Sequence, residues 1–234
     1  FSVRYYFDEV TPDNLEPEGI DLPGFSYYDT QNGFHIYKND YALPMGFTFD
    51  TYVSRSQWET YSESDRCNLL LRALVLEDDA VETYQKDMQK LPDAVHQMSD
   101  EDLLAECTER TKTACDSFTY NSKGFHTTIS TDHANLVFFS VPWEEGWSAE
   151  VNGEPVAIEK ADIGFMAVPV PAGDNEITFT YHTPGLKAGA LLSLGGLVLF
   201  AGYLTVAGIY NKRHPNPKTE SICCVDYSTE ETAN

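Results

Sequence analysis

"WEEGWSAEVNGEPV" (Trp143–Val156) decides how the chain is read. Two tryptophans bracket two adjacent glutamates. That suits either a sugar-cutting site, with carboxylates for acid–base work and indoles for stacking, or a piece of β-structure. The surroundings favour β-structure. Trp143 closes the strand-like run "ANLVFFSVPW" (134–143), and Trp147 opens "GWSAEVNG" (146–153). Glu144, Glu145 and Gly146 then form a hairpin turn, and Asn152-Gly153 is the next turn, of type I′ by composition. Adjacent carboxylates in such a turn point in different directions, into water. Glycoside hydrolysis needs two carboxyls about 5–10 Å apart facing one bond, one of them in an apolar pocket. Nothing here supplies that. Trp143, Trp147, Glu144 and Glu145 are therefore read first as structural, and second as a glycan-contact surface.

Four more strand candidates surround this pair: "GFHTTIST", "EPVAIEKA", "GFMAVPVPAG" and "NEITFTYHT". Turn residues separate them, at Asp132-His133, Asp162 to Gly164 and Gly173-Asp174-Asn175. Short strands at this spacing predict an antiparallel β-sandwich part over 113–186. Ile177, Phe179 and Tyr181 alternate with Thr178 and Thr180, so one face is buried and one polar.

Residues 1–58 also read as a β-rich part. "FSYYDTQNGFHIYKN" gives two strands around Asn32-Gly33, a strong hairpin signal, and Pro44 interrupts the strand-like "YALPMGFTFDTYVS". Residues 59–112 change character. Leu70, Leu71, Leu74 and Val75 fall at helical spacing. Ser99 stands three residues before Asp102, a helix N-terminus. The 13 acids and 4 bases from Glu63 to Glu109 read as solvated helix faces.

From Ala188 to Asn211 there is no charge. A helix over 188–210 would be about 35 Å long against a hydrocarbon core of about 30 Å, enough to span with modest tilt. The transmembrane segment is placed at 187–211. Lys212, Arg213 and Lys218 follow it and only Lys187 closely precedes it. By the positive-inside rule, residues 1–187 are extracytoplasmic, and 212–234 form a disordered cytoplasmic tail. Gly189, Ser193 and Gly196, and then Ala201, Thr205 and Gly208, repeat at i, i+4 and i+7, which lets other membrane helices approach closely. The expected class is α+β, mainly antiparallel β: a sandwich-like ectodomain with a short helical insertion, then one transmembrane α-helix.

The net charge is −22, and the 12 Lys/Arg and 33 Asp/Glu up to Lys187 carry nearly all of it. A surface this acidic repels phosphate backbones, which argues against nucleic acid as a partner. Cys67, Cys107, Cys115, Cys223 and Cys224 show no C-x-x-C pair and no histidine cluster, so no metal site is expected. Cys107 and Cys115 could pair in an oxidising compartment, and their disulfide state stays open. Ser140, Ser148, His35, His126 and His133 lack the pairing of a nucleophile with its base. There is no G-x-S-x-G elbow. The chain opens inside the strand-like "FSVRYYFDE", so it reads as the C-terminal part of a longer protein.

The order of these pieces resembles the C-terminal end of the YfhO family of bacterial membrane proteins. The family's P-[YW]-x-x-G-W turn corresponds to Pro142, Trp143, Gly146 and Trp147. A hairpin with an N-G turn follows, then "GFMA", a glycine turn, a last strand, and "PGLKAG" entering the apolar helix. Upstream, "YYDTQNGFHIYKNDYALPMGF" and "RCNLLLRALVLED" are similar as well, while the acidic helical region matches nothing further. The resemblance implies a parent with many spans and a glycosyltransferase-C-like core. Such a parent would take a polyprenyl-phosphate sugar donor and glycosylate lipoteichoic acid or a related envelope polymer outside the cell. Its catalytic residues would lie outside this chain, which itself holds no cofactor. The implied partners are the lipid bilayer, the parent's other helices and an envelope glycopolymer. The alternative is a single-span, non-enzymatic sandwich module that binds envelope glycans or a protein. A tethered hydrolase ranks last.

Overall fold

The computed structural model describes residues 2–92 and 99–214, and their strands gather into three sheets. The first is small: β1 (Tyr5–Glu9), β2 (Phe25–Gln31) and β3 (Phe34–Asn39), in the order β1-β3-β2. Its hairpin turns at Asn32 and Gly33, with φ of 53° and 81°, the two left-handed positions of a type I′ turn.

Next along the chain come β4 (Phe47–Thr48), β5 (Thr51–Ser54), α1 (Arg55–Glu59), α2 (Glu63–Leu69), β6 (Leu74–Leu76), α3 (Asp78–Tyr84), β7 (Gln89–Lys90) and α4 (Asp100–Lys112). The C-terminal half adds β8 (Ser117–Asn121), β9 (Gly124–Thr131), β10 (Asn135–Pro142), β11 (Trp147–Val151), β12 (Glu154–Val156), β13 (Glu159–Ala161), β14 (Phe165–Val170) and β15 (Gly173–Tyr181). The chain then enters α5 (Leu186–Arg213).

Seven strands form the central sheet, in the order β4-β10-β14-β13-β6-β5-β7. Its strands come from all three segments 1–58, 59–112 and 113–186, so these segments interleave in one sheet. Five strands form the outer sheet, in the order β12-β11-β15-β9-β8.

The apolar run of β10 follows from this layering. Val137 and Phe139 face the outer sheet, packing with Phe125, Ala149, Val151, Ile177 and Phe179. Leu136 and Phe138 face the other way, toward Phe47, Phe49, Ala80, Tyr84 and Cys107. A strand buried on both faces loses the polar alternation of a half-exposed one. The unit is thus two sheets packed face to face, with α3 and α4 covering the far side of the central sheet.

Two local readings change. The "NLLLRALVL" run is not one helix. The helix α2 ends at Leu69, and Leu74, Val75 and Leu76 form a fully buried strand, parallel to β5. A short apolar run carries no period that separates a buried strand from a buried helix. The second change is that β5 pairs in parallel with both β6 and β7, so the acidic segment supplies two strands as well as helices. The N-terminus of α4 agrees with its sequence signal: Ser99 and Asp102 form a reciprocal capping box.

The chain divides at Thr183/Pro184, and α5 belongs to the second unit. Its 28 residues make about 42 Å of helix, long and apolar enough to cross a bilayer. Gly185, with φ of 76°, precedes it, and Lys212 and Arg213 fill its last turn. From residue 215 the tail, with Cys223 and Cys224, lies outside the described residues.

Candidate functional site: an aromatic groove at one end of the sandwich

The turn 143–146 is not a hairpin. The strand before it, β10, belongs to the central sheet, and β11 after it belongs to the outer one, so the chain crosses between layers here. Strand alternation says which residues pair with a buried face, but not which sheet a strand joins. The crossing separates the two tryptophans. Trp143 stays with the central sheet, donating its backbone N–H to Gly164 O at 2.8 Å, and its ring lies 4.7 Å from Lys160 Nζ. Trp147 stands on the outer sheet opposite Tyr181, with ring centroids 5.0 Å apart.

Gly146 makes the crossing possible. A Cβ there would lie 2.6 Å from both His182 O and the Tyr181 ring, and the backbone closes at this point through His182 N–H to Gly146 O at 2.8 Å. The glycine of the P-W-x-x-G-W stretch is therefore a close-approach residue.

Trp147 and Tyr181 form part of an open groove of about 510 Å³ at this end of the sandwich. The β8–β9 hairpin supplies another part of the wall, with Phe118, Tyr120 and Lys123, and Glu144 reaches in from the turn. The Tyr181 hydroxyl donates to Glu144 Oε2 at 2.8 Å. That bond to the carboxylate raises the Tyr181 pKa and keeps the phenol protonated. Glu145 is exposed and does not line the groove.

The aromatic wall is anchored in the core. Phe125 and Phe179 stack at 4.4 Å and both meet Phe139, at 5.4 and 5.0 Å. Trp147 packs edge-on to Phe125 at 5.6 Å. One line of rings thus runs from the sandwich interior to the groove. Phe118 and Tyr120 were not visible as site residues in the sequence. The run "SFTYN" alternates aromatic and polar residues before a turn, and that was the available signal.

Other candidates have structural roles. His35 is buried between Thr30 Oγ1 and the Asn14 carbonyl, each at 2.7 Å. His126 pairs with Glu176 at 2.7 Å on the outer sheet. Ser148 donates to Thr180 O, and Ser140 to Ser2. Among the described residues no His/Cys/Asp/Glu group is arranged to hold a metal. Cys107 and Cys115 are free thiols on opposite sides of the central sheet, one in the helical layer and one between the sheets, so they do not pair. Burial raises both thiol pKa values, that of Cys115 to about 11.

On α5 the two small-residue triplets fall on different faces. At about 100° per residue, Gly189, Ser193 and Gly196 cluster roughly 120° from Ala201, Thr205 and Gly208. Thr205 donates its hydroxyl to Ala201 O at 2.8 Å, which satisfies it within its own helix.

Residues 93–193 match the profile of a family described as bacterial membrane protein YfhO. This stretch takes in α4, which the sequence resemblance had left out, then β8 to β15 and the first two turns of α5. An uncharacterized protein YfhO of Bacillus subtilis (strain 168) is 30% identical over 121 residues, covering 52% of this chain and 13% of that relative. No solved structure matches the chain. The groove and the entry into the apolar helix both fall inside the matched stretch, and over it the chain is similar to the YfhO family of bacterial membrane proteins.

Proposed function

We propose that this chain is the extracytoplasmic sandwich and a membrane helix of a multi-span protein that glycosylates an envelope polymer, lipoteichoic acid or a related one. The donor would be a polyprenyl-phosphate sugar, and the catalytic residues would lie elsewhere in the parent. In this reading the groove at Trp147 holds part of the acceptor glycopolymer. The observation that carries it is the groove: exposed aromatic rings beside a carboxylate–phenol pair, in a unit joined to an apolar helix. Lys212 and Arg213 at the far end of α5 support a cytoplasmic C-terminus. The two small-residue faces of α5 would each receive another helix of the parent.

Deletion of the parent gene in the source cell tests this. Chemical analysis of the purified polymers should show loss of a sugar substituent, restored by the intact gene. Unchanged sugar content would overturn the proposal. Rescue by residues 1–234 alone would instead make the chain a non-enzymatic binding module.

A further inference from the structure

We propose that the groove takes an uncharged pyranose residue, rather than an anionic phosphate polymer or a lipid chain. The inference deepens the glycan reading above and rests on it. Three observations converge. First, Tyr120 is 83% exposed and Phe118 37% exposed, on the hairpin that walls the groove. Phe118 also packs on Phe125 at 5.3 Å, whereas the exposure of Tyr120 contributes nothing to the core. It leaves ring faces open beside Trp147 and Tyr181, whose positions the Phe125–Phe179–Phe139 cluster fixes. Rigid aromatic surface binds at low entropic cost.

Second, the polar groups suit hydroxyls. Glu144 Oε2 is occupied by Tyr181, while Oε1 makes no hydrogen bond among the described residues. A carboxylate oxygen beside apolar rings accepts from a sugar hydroxyl while the C–H face of the ring packs on the aromatics. A lipid chain would strip water from that carboxylate with nothing in exchange.

Third, charge excludes the polyanion. The chain up to Lys187 carries 12 Lys/Arg against 33 Asp/Glu, and within the groove Lys123 stands against Glu144. A poly(glycerol phosphate) strand would meet net repulsion. The acceptor would then be held by a neutral sugar unit and not by its phosphate backbone.

The test uses the full chain in detergent micelles. Tryptophan fluorescence is titrated with methyl pyranosides and neutral disaccharides, with glycerol phosphate oligomers and with a medium-chain fatty alcohol. At least one neutral saccharide should saturate the signal. Tyr120→Ala, an exposed position, should weaken that binding about tenfold, with Glu144→Gln acting in the same direction. The proposal is overturned if no neutral saccharide binds, if Tyr120→Ala leaves binding unchanged, or if the phosphate oligomer or the alcohol binds more tightly. These outcomes are separate from the gene-deletion result. Loss of polymer sugar on deletion, with no saccharide binding here, would remove the groove assignment alone.

Discussion

The Tyr181 hydroxyl lies 2.8 Å from Glu144 Oε2, joining the end of the last strand to the turn that crosses between the two sheets. The carboxylate holds the phenol in its protonated form. Glu144→Gln removes that charge, so the Tyr181 pKa should fall back toward the ordinary tyrosine value. A pH titration of the Tyr181 ring signals by NMR measures this. An unchanged titration would mean that the pair does not persist in solution.

The close approach at Gly146 gives a stability prediction. Any side chain there meets the His182 carbonyl and the Tyr181 ring. Gly146→Ala should cost on the order of 1–3 kcal/mol, as overpacking does, and should disturb the groove at the same time. Urea unfolding measures the cost, and a midpoint equal to that of the unsubstituted chain would contradict it.

Ile163 stands at φ of 75°, next to Asp162 at 44°, so β13 and β14 are joined by a left-handed turn containing a β-branched residue. That conformation costs an L-residue about 1–2 kcal/mol. Ile163 is 38% exposed and gives up little packing if replaced. Glycine removes the strain but adds roughly 0.5–1 kcal/mol of unfolded-state entropy. Ile163→Gly should thus leave stability unchanged or raise it by up to about 1 kcal/mol. A clear loss of stability would contradict the strain argument.

Asp162 in the same turn is buried, with 3% exposure. Its backbone N–H donates to Val75 O at 2.9 Å, and its Oδ1 accepts from Val75 N–H at 2.8 Å, tying β13 to β6. Its Oδ2 has no partner among the described residues. Burial raises the carboxyl pKa from 3.8 to about 8. The folded chain then keeps a proton that the unfolded chain releases. The contribution to stability is fully present below about pH 4 and is lost as pH rises toward about 8. Across that window stability falls steadily as pH rises. Asp162→Asn keeps an acceptor for Val75 and cannot ionise, so it should flatten this slope. Chemical denaturation at several pH values decides it, and equal slopes would refute it.

Much of the fold is legible in the sequence wherever local chemistry decides it. Asn32-Gly33 and Asn152-Gly153 adopt the left-handed pair their composition demands. Ser99 caps α4, and the uncharged run from Ala188 is one helix. What is not legible depends on partners distant in the chain. Leu74 to Leu76 become a strand because β5 and β13 lie on either side of them. The 143–146 turn crosses between sheets because β10 finds β14 while β11 finds β15. The groove needs Tyr120 from one hairpin and Tyr181 from the last strand, 61 residues apart in the chain. The sequence therefore offers Trp147 and Glu144 but not their company. The buried carboxylate of Asp162 was likewise hidden within a turn whose location was readable.

The functional account requires residues up to Thr183 to lie outside the membrane and the tail inside. Cys67 is an exposed thiol in the sandwich unit, and Cys223 and Cys224 lie beyond α5. Intact source cells treated with a membrane-impermeant maleimide should label the protein at Cys67. Cys67→Ser should abolish that labelling, and the tail cysteines should react only after permeabilisation. Labelling of Cys223 and Cys224 in intact cells, with Cys67 protected until permeabilisation, would contradict the account.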